Sequence, residues 1–299
     1  DIPNESLALV NKKRVAEHFS AACSSYDEYA QVQKQIAEVN LDLLADLVSG
    51  HSKYSVDLGC GTGLHTAMLA KMADNCLAVD ISHGMLKEAQ RNNAEKVTAA
   101  NKAILYCSGD ADCLPLQSHS IDLLHSSMTL QWCSSPNSAI AEINRVLSTS
   151  GSAQLAIMLD PSLYELRQAW QNMGLPPRVN EFFTEKQWLD ATQNLKNDDA
   201  STNADVQINI CQQVRSFTEW HASSLQMLRA LKRIGAATKN KDTHTDENGY
   251  SSISAAISRQ ELLELDVQMR QQQQVVHEQS QVMYAHAPRL KIVGEDESQ

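Results

Sequence analysis

Asp57, Gly59, Gly61 and Gly63 follow one another as Asp-x-Gly-x-Gly-x-Gly, directly after an apolar run, Tyr54 to Leu58, that reads as a strand. The glycines let the backbone turn sharply and leave bare main chain for a ligand. Cys60 lies in the same turn. From about Thr62 to Met72, the residues Leu64, Met68, Leu69 and Met72 share one helical face. A helix is expected there, its first N–H groups forming an electropositive rim. Dinucleotide fingerprints space their glycines G-x-G-x-x-G and aim the helix at a pyrophosphate. Here the third glycine arrives one position early and Asp57 precedes the first. A carboxylate there repels a pyrophosphate and suits an amine. Asp80 closes the next apolar run, Cys76 to Val79, where an acid can accept both ribose hydroxyls of an adenosine-bearing ligand. A further acid, Asp110, sits in Gly109-Asp110-Ala111 after the run Ala103 to Cys107.

Positioning these residues requires alternating strands and helices. After Asp80 and Ile81, Ser82 caps a helix bearing Met85, Leu86 and Ala89. The fourth strand, Ser120 to Ser127, leads into Met128 to Trp132, and the helix Asn137 to Leu147 leads into the fifth strand, Ser152 to Leu159. Arg145 in that helix reads as structural. This alternation predicts a parallel α/β sheet with its ligand at the carboxyl edge. An N-terminal helical stretch carries Lys12, Lys13, Arg14, Phe19, Tyr26 and Tyr29, and a helix from Gln31 to Val48 follows; together they read as a lid. Helical periodicity returns between Pro161 and Gln193 as a cap. Beyond it the expectations are a strand over Val206 to Ile210, helices over Ser216 to Ile234 and Ile253 to Arg270, and a last strand over Val275 to Ala287. The polar stretches Asn194 to Asp205 and Lys239 to Ser252 read as loops. The domain organisation expected is a lid over 1–50, a ligand-binding core over 51–160, a helical cap insertion over 161–204, the C-terminal part of the sheet domain over 205–293, and a disordered tail over 294–299.

Composition narrows the function classes. The 299 residues are 42% hydrophobic, enough for a core, and the net charge of −11 argues against a nucleic-acid binder. No apolar run is long enough to span a bilayer, and the acidic, polar opening Asp1 to Glu5 is unlike a signal peptide. Seven scattered cysteines without a CxxC pair, and ten histidines without ligand spacing, point to no metal and a reducing, cytoplasmic location.

Asp57-x-Gly59-x-Gly61-x-Gly63 resembles the first motif of class I S-adenosylmethionine-dependent methyltransferases. That resemblance implies a Rossmann-like fold: a mostly parallel seven-stranded sheet with helices on both faces, a helical lid, and a cap after strand five. It implies S-adenosylmethionine as cofactor, S-adenosylhomocysteine as product, and no metal. By the same resemblance the cofactor contacts are Asp57, Gly59, Cys60, Gly61 and Gly63 at the methionine end, Asp80 at the ribose, Asp110 and Ala111 at the adenine, and Ile81, Met85 and Met128.

Narrower motifs address the acceptor. Ser25-Tyr26-Asp27-Glu28-Tyr29-Ala30, Leu130-Gln131-Trp132-Cys133, Leu231-Lys232-Arg233-Ile234-Gly235-Ala236 and Tyr164 to Trp170 together resemble the malonyl-acyl-carrier-protein O-methyltransferases of biotin synthesis, over about Lys12 to Arg289. The implied reaction methylates the free carboxylate of a malonyl thioester on acyl carrier protein, or on coenzyme A, giving the ester that primes pimeloyl synthesis. Such an acceptor is ionised at neutral pH, its usual pKa being about 4, so no general base is required. The implied catalytic candidates are Tyr26, closing over the cofactor, Gln131 and Trp132, shaping the acceptor pocket, and Arg233 or Lys232, pairing with the carboxylate. Members of that family often carry arginine where this chain has Glu181. An acidic carrier needs a basic patch, for which Lys12, Lys13 and Arg14, with Arg229, Lys232 and Arg233, are candidates. The expected enzyme is a monomer with no nucleic-acid or membrane partner. The alternatives are another carboxyl- or C-methyltransferase acting on a small acid or quinone precursor, and a non-catalytic methyltransferase-like assembly factor.

Overall fold

A computed structural model describes residues 12–47, 52–100, 103–176, 179–198, 207–208, 211–234, 258–273 and 277–290. The chain opens with helices α1 (Lys12–Tyr29) and α2 (Gln31–Leu47). A strand–helix alternation follows: β1 (Ser52–Leu58), α3 (Thr66–Leu69), β2 (Ala73–Asp80), α4 (His83–Ala100), β3 (Ile104–Ser108), β4 (Ile121–Ser127), α5 (Pro136–Val146) and β5 (Leu147–Leu159). Then come α6 (Tyr164–Asn172), α7 (Glu185–Asp198), β6 (Gln207–Ile208), β7 (Cys211–Trp220), α8 (Ser224–Arg233), α9 (Arg259–Gln273) and β8 (His277–Leu290).

The strands lie in the order β3-β2-β1-β4-β5-β8, with β7 and the two-residue β6 both pairing with β8. Strands β1 to β5 are parallel; β8 runs antiparallel to β5, and β7 antiparallel to β8. Val56, Leu58, Leu124, Ala153 and Ile157 are buried because helices cover both faces, so these strands read as near-continuous apolar runs. One face packs on α5 and α7, the other on α2 and α3. Buried Asn40 of α2 donates from Nδ2 to the Ser126 carbonyl at 3.0 Å and accepts at Oδ1 from Gln154 Nε2 at 3.1 Å, pinning that helix across β4 and β5. Strand order reverses between β1 and β4, which puts a crevice at their carboxyl ends.

The lid helix is docked on the sheet domain. The Ser20 and Ser82 hydroxyls are 2.8 Å apart, and a Cβ at Gly84 would come within 2.8 Å of the Ser20 Cα, so α1 and α4 touch through bare backbone.

Among the described residues the sheet has eight strands where seven are expected, counting the two-residue β6, and Asn194 to Asp198, expected in a loop, close α7. Three larger expectations also change. The helix expected from Thr62 to Met72 is a single turn, Thr66–Leu69, because Gly63 takes φ +72° and the chain turns through Leu64 and His65 before it can wind. Helix N–H groups therefore supply no anion-binding rim. Ser216 to Trp220, expected to be helical, belong to β7, where ten consecutive residues pair with the long β8 from Cys211↔His286 to Trp220↔His277; the ladder overrides local propensity. The helical insertion after β5 divides: α6 packs with α8 and α9, while Phe183 and Trp188 beside and within α7 enter the main core. Gly235, Ala236, the stretch Lys239 to Ser252 and the tail 294–299 lie outside the described residues.

Candidate active site

The glycine turn is held from below. Gly59 N and Cys60 N both donate to the Val79 carbonyl, at 2.7 and 3.0 Å, tying the turn to the end of β2. Gly59 and Gly61 have φ of +72° and +53°, a region that side chains rarely adopt. A Cβ on Gly59 would sit 1.9 Å from Thr129 Oγ1, so the segment after β4 presses directly on this glycine. A Cβ on Gly61 would meet nothing within 4 Å, since its face is open to the crevice. Gly63 lies behind the crevice, where a Cβ would reach Asn93 and Ala89 of α4; its role is packing.

Asp80 ends β2 at the crevice. Its Oδ2 accepts the Gly61 N–H at 2.9 Å and its Oδ1 the Ser82 N–H at 2.7 Å. Burial pushes its pKa up to about 6, against the pull of those two N–H groups and with the nearby Asp57 charge adding to the rise.

Around Asp80 opens a lobe of about 650 Å³, counting its open mouth. Ile81, Met85 and Ala111 give it apolar walls, with Asp110 at one end. Phe19 of α1 and Trp132 meet edge to face, centroids 5.5 Å apart, and close another side. Lys12 lies here too: its Nζ is 2.7 Å from both Asp110 Oδ1 and Asp112 Oδ2, so it is spent inside the cleft rather than on a carrier-facing patch. Tyr26, Gly59, Gly61, Ser127 and Met128 border this lobe and a second one, making a single cleft. Met128 takes φ +55° where β4 ends, and the buried Gln131 donates from Nε2 to its carbonyl at 2.8 Å. Gln131 thus supports the wall from behind and does not line it.

The second lobe holds Asp57, Cys60, Thr62, Lys34 and His125. Asp57 accepts the Thr66 hydroxyl at Oδ2 and lies 3.0 Å from His125 Nδ1 at Oδ1. Sequence reasoning missed both partners: His125 is brought alongside by strand register, Asp57↔His125, over a separation that no spacing rule covers. Thr62 donates to Asp27 Oδ1 at 2.6 Å, fastening α1 to the glycine turn. Burial, with the Asp80 and Asp27 charges, holds the Tyr26 phenol protonated far above its ordinary range. Burial likewise raises the Cys60 thiol, so neither group offers a base or nucleophile near neutral pH.

Lys232 and Arg233 line neither lobe. Arg233 lies beyond Tyr29: its guanidinium sits 4.4 Å from that ring centroid and Nη1 donates to Tyr29 Oη at 2.6 Å. Glu181 is exposed on the segment before α7. Among the described residues, no group of three or more His, Cys, Asp or Glu is placed to hold a metal ion, and no helix is long and apolar enough to cross a membrane.

The cleft suits an adenosine-bearing, cationic ligand better than a dinucleotide. An acceptor carboxylate sits between apolar walls, further carboxylates stand at both ends, and the four-residue α3 presents no phosphate site. Fold and cleft define a class I S-adenosylmethionine-dependent methyltransferase. Residues 56–155 match the family model for a methyltransferase domain. The YcgJ protein of Bacillus subtilis shares the fold, with a TM-score of 0.57 at 16% identity over 85% of this chain and 99% of that one. Two curated relatives are named malonyl-[acyl-carrier protein] O-methyltransferase. The one from Hahella chejuensis is 31% identical over 76% of this chain and 75% of its own length, and the one from Marinomonas sp. is 30% identical over 87% and 88%. The chain belongs to the malonyl-[acyl-carrier protein] O-methyltransferase family.

Proposed function

We propose that this enzyme methylates the free carboxylate of a malonyl thioester carried on acyl carrier protein, making the methyl ester that primes pimeloyl synthesis for biotin, and that it works as a monomer in the cytoplasm. The observation that carries this reading is Asp80, fixed by the Gly61 and Ser82 N–H groups inside a cleft of the family's sequence pattern. In this reading ionised Asp80 accepts the ribose hydroxyls, Ile81, Met85, Ala111 and Asp110 take the adenine, and Asp57, Gly59, Cys60 and Gly61 border the methionine end. S-adenosylmethionine supplies an electrophilic sulfonium methyl group. Tyr26 and the Phe19–Trp132 pair exclude water, and Gln131 keeps Met128 in its left-handed turn against the reacting centre.

The malonyl carboxylate arrives ionised, so the protein need not remove a proton. Alignment of donor and acceptor carries the rate, an effect worth roughly 7–11 kcal/mol for well-oriented groups. Arg233 lies outside the cleft, so it meets the substrate where that extends past Tyr29. The test is transfer from labelled S-adenosylmethionine to malonyl-acyl carrier protein and malonyl-coenzyme A in parallel. A base-labile methyl ester on malonyl is expected, with the carrier protein the better acceptor. Cofactor binding without transfer to either overturns the proposal.

A further inference from the structure

A second concavity, about 800 Å³ with its open mouth, lies on the far side of Tyr29 from the cleft. The last turn of α1, the end of β7 and the exposed face of α8 form it. Arg229 and Arg233, four residues apart on α8, both point into it. The contact with the Tyr29 ring and the hydrogen bond to its hydroxyl fix the Arg233 guanidinium, and among the described residues its other N–H groups are not taken by a carboxylate. Among the described residues, neither arginine has a carboxylate partner. His221 is buried, its Nε2 has no hydrogen-bond partner among the described residues, and burial lowers its pKa, so the ring is neutral at pH 7. Trp220 contributes a ring that is 61% exposed.

Glu28 and Glu219 also line the groove, so its charges nearly balance and a loose cloud of anions is not favoured. The lining suits one phosphate gripped by two guanidinium groups, joined to a neutral arm with amides and methyl groups. The Gln226 carboxamide, whose Oε1 accepts from Ala222 N, can meet amides through its NH₂, as Trp220 can meet methyls. Tyr26, which lines the cleft, lies three residues before Tyr29 on α1, about 4.5 Å along the axis.

We infer that this groove binds the phosphopantetheine arm of the malonyl thioester, the chemistry common to carrier protein and coenzyme A, with Arg229 and Arg233 on the phosphate. The inference rests on the malonyl-thioester reading and names how that substrate is held.

The test is calorimetric titration of the whole protein with 4′-phosphopantetheine and with pantetheine, for wild type, R229Q and R229Q/R233Q, beside KM for malonyl-carrier protein and malonyl-coenzyme A. Phosphopantetheine is expected to bind wild type at least tenfold more tightly than pantetheine. The double variant should lose that advantage, and both KM values should rise about tenfold while S-adenosylmethionine affinity is kept. Where the double variant fails to fold, R229Q alone is expected to lose threefold or more. Unchanged phosphopantetheine affinity overturns the inference. A KM effect confined to the carrier protein also overturns it, because the arginines would then meet the carrier's surface. Phosphopantetheine binding with no methyl transfer by wild type would instead sink the malonyl-thioester reading and leave the groove intact.

Discussion

In the cleft, main chain does most of the holding: two N–H groups fix Asp80, two more tie the turn to β2, and Gly59 makes way for Thr129. In the groove behind Tyr29, side chains do it, through an arginine stacked on a tyrosine 204 residues away in the chain. A site of backbone tolerates almost no change at its contact points but depends little on surface charge. A site of long side chains yields by degrees and responds to salt. The first can be shared by many enzymes with one cofactor; the second is where acceptors can diverge.

The contrast breaks most sharply at the glycines. Gly59→Ala combines φ +72° with a 1.9 Å clash, so cofactor affinity is expected to fall more than a hundredfold, read by calorimetry. Gly61→Ala meets only the left-handed strain, roughly 1–2 kcal/mol or about tenfold. Equal losses at both positions would mean that the Thr129 contact is unimportant.

Next comes charge. Asp80→Asn is expected to weaken S-adenosylmethionine binding some tenfold or more at pH 7.5. Asp80 must be ionised to accept two hydroxyls, and its pKa is raised to about 6. Wild-type affinity should therefore hold above pH 6 and fall as pH drops through it, up to tenfold per unit, while the Asn variant stays flat. A flat wild-type profile would remove Asp80 from the ribose.

Salt separates the regions more gently. Turnover of malonyl-carrier protein is expected to fall several-fold between low and high salt while cofactor affinity barely moves, because exposed arginines are screened and the buried acid is not. The smallest effect is at Tyr26→Phe. The phenol stays protonated and its ring supplies the cover, so kcat is expected to change less than about threefold. A hundredfold loss would give the hydroxyl a chemical role.

Sequence spacing reaches as far as local geometry does. The glycines, Asp80 and Asp110 were legible because a sharp turn and a strand end impose short-range requirements on residue type. The rest depended on what distant segments do to each other. Lys12 reads as surface charge, yet α1 lies across the sheet edge and turns it onto Asp110 and Asp112. Asp57 reads as an amine ligand, yet register pairs it with His125. The stretch Ser216 to Trp220 reads as helix because nothing local reveals the long β8 waiting to pair with it. Arg233 reads as an active-site cation from its motif, but only the packing of α8 on α1 shows that Tyr29 stands between it and the cleft.

Helix α1 carries Asp27 on the glycine turn, Tyr26 in the cleft and Tyr29 in the groove, all within its last turn. Donor and acceptor therefore lean on the same few residues, and neither can be exchanged without disturbing the other's support. Donor and acceptor binding are therefore expected to be coupled, with the donor preferred first and the spent donor leaving last. S-adenosylhomocysteine is then expected to inhibit competitively against S-adenosylmethionine and non-competitively against the malonyl thioester. Equal affinity of the malonyl thioester for the free enzyme and for the S-adenosylhomocysteine complex would mean that the helix lets the two ligands come and go independently.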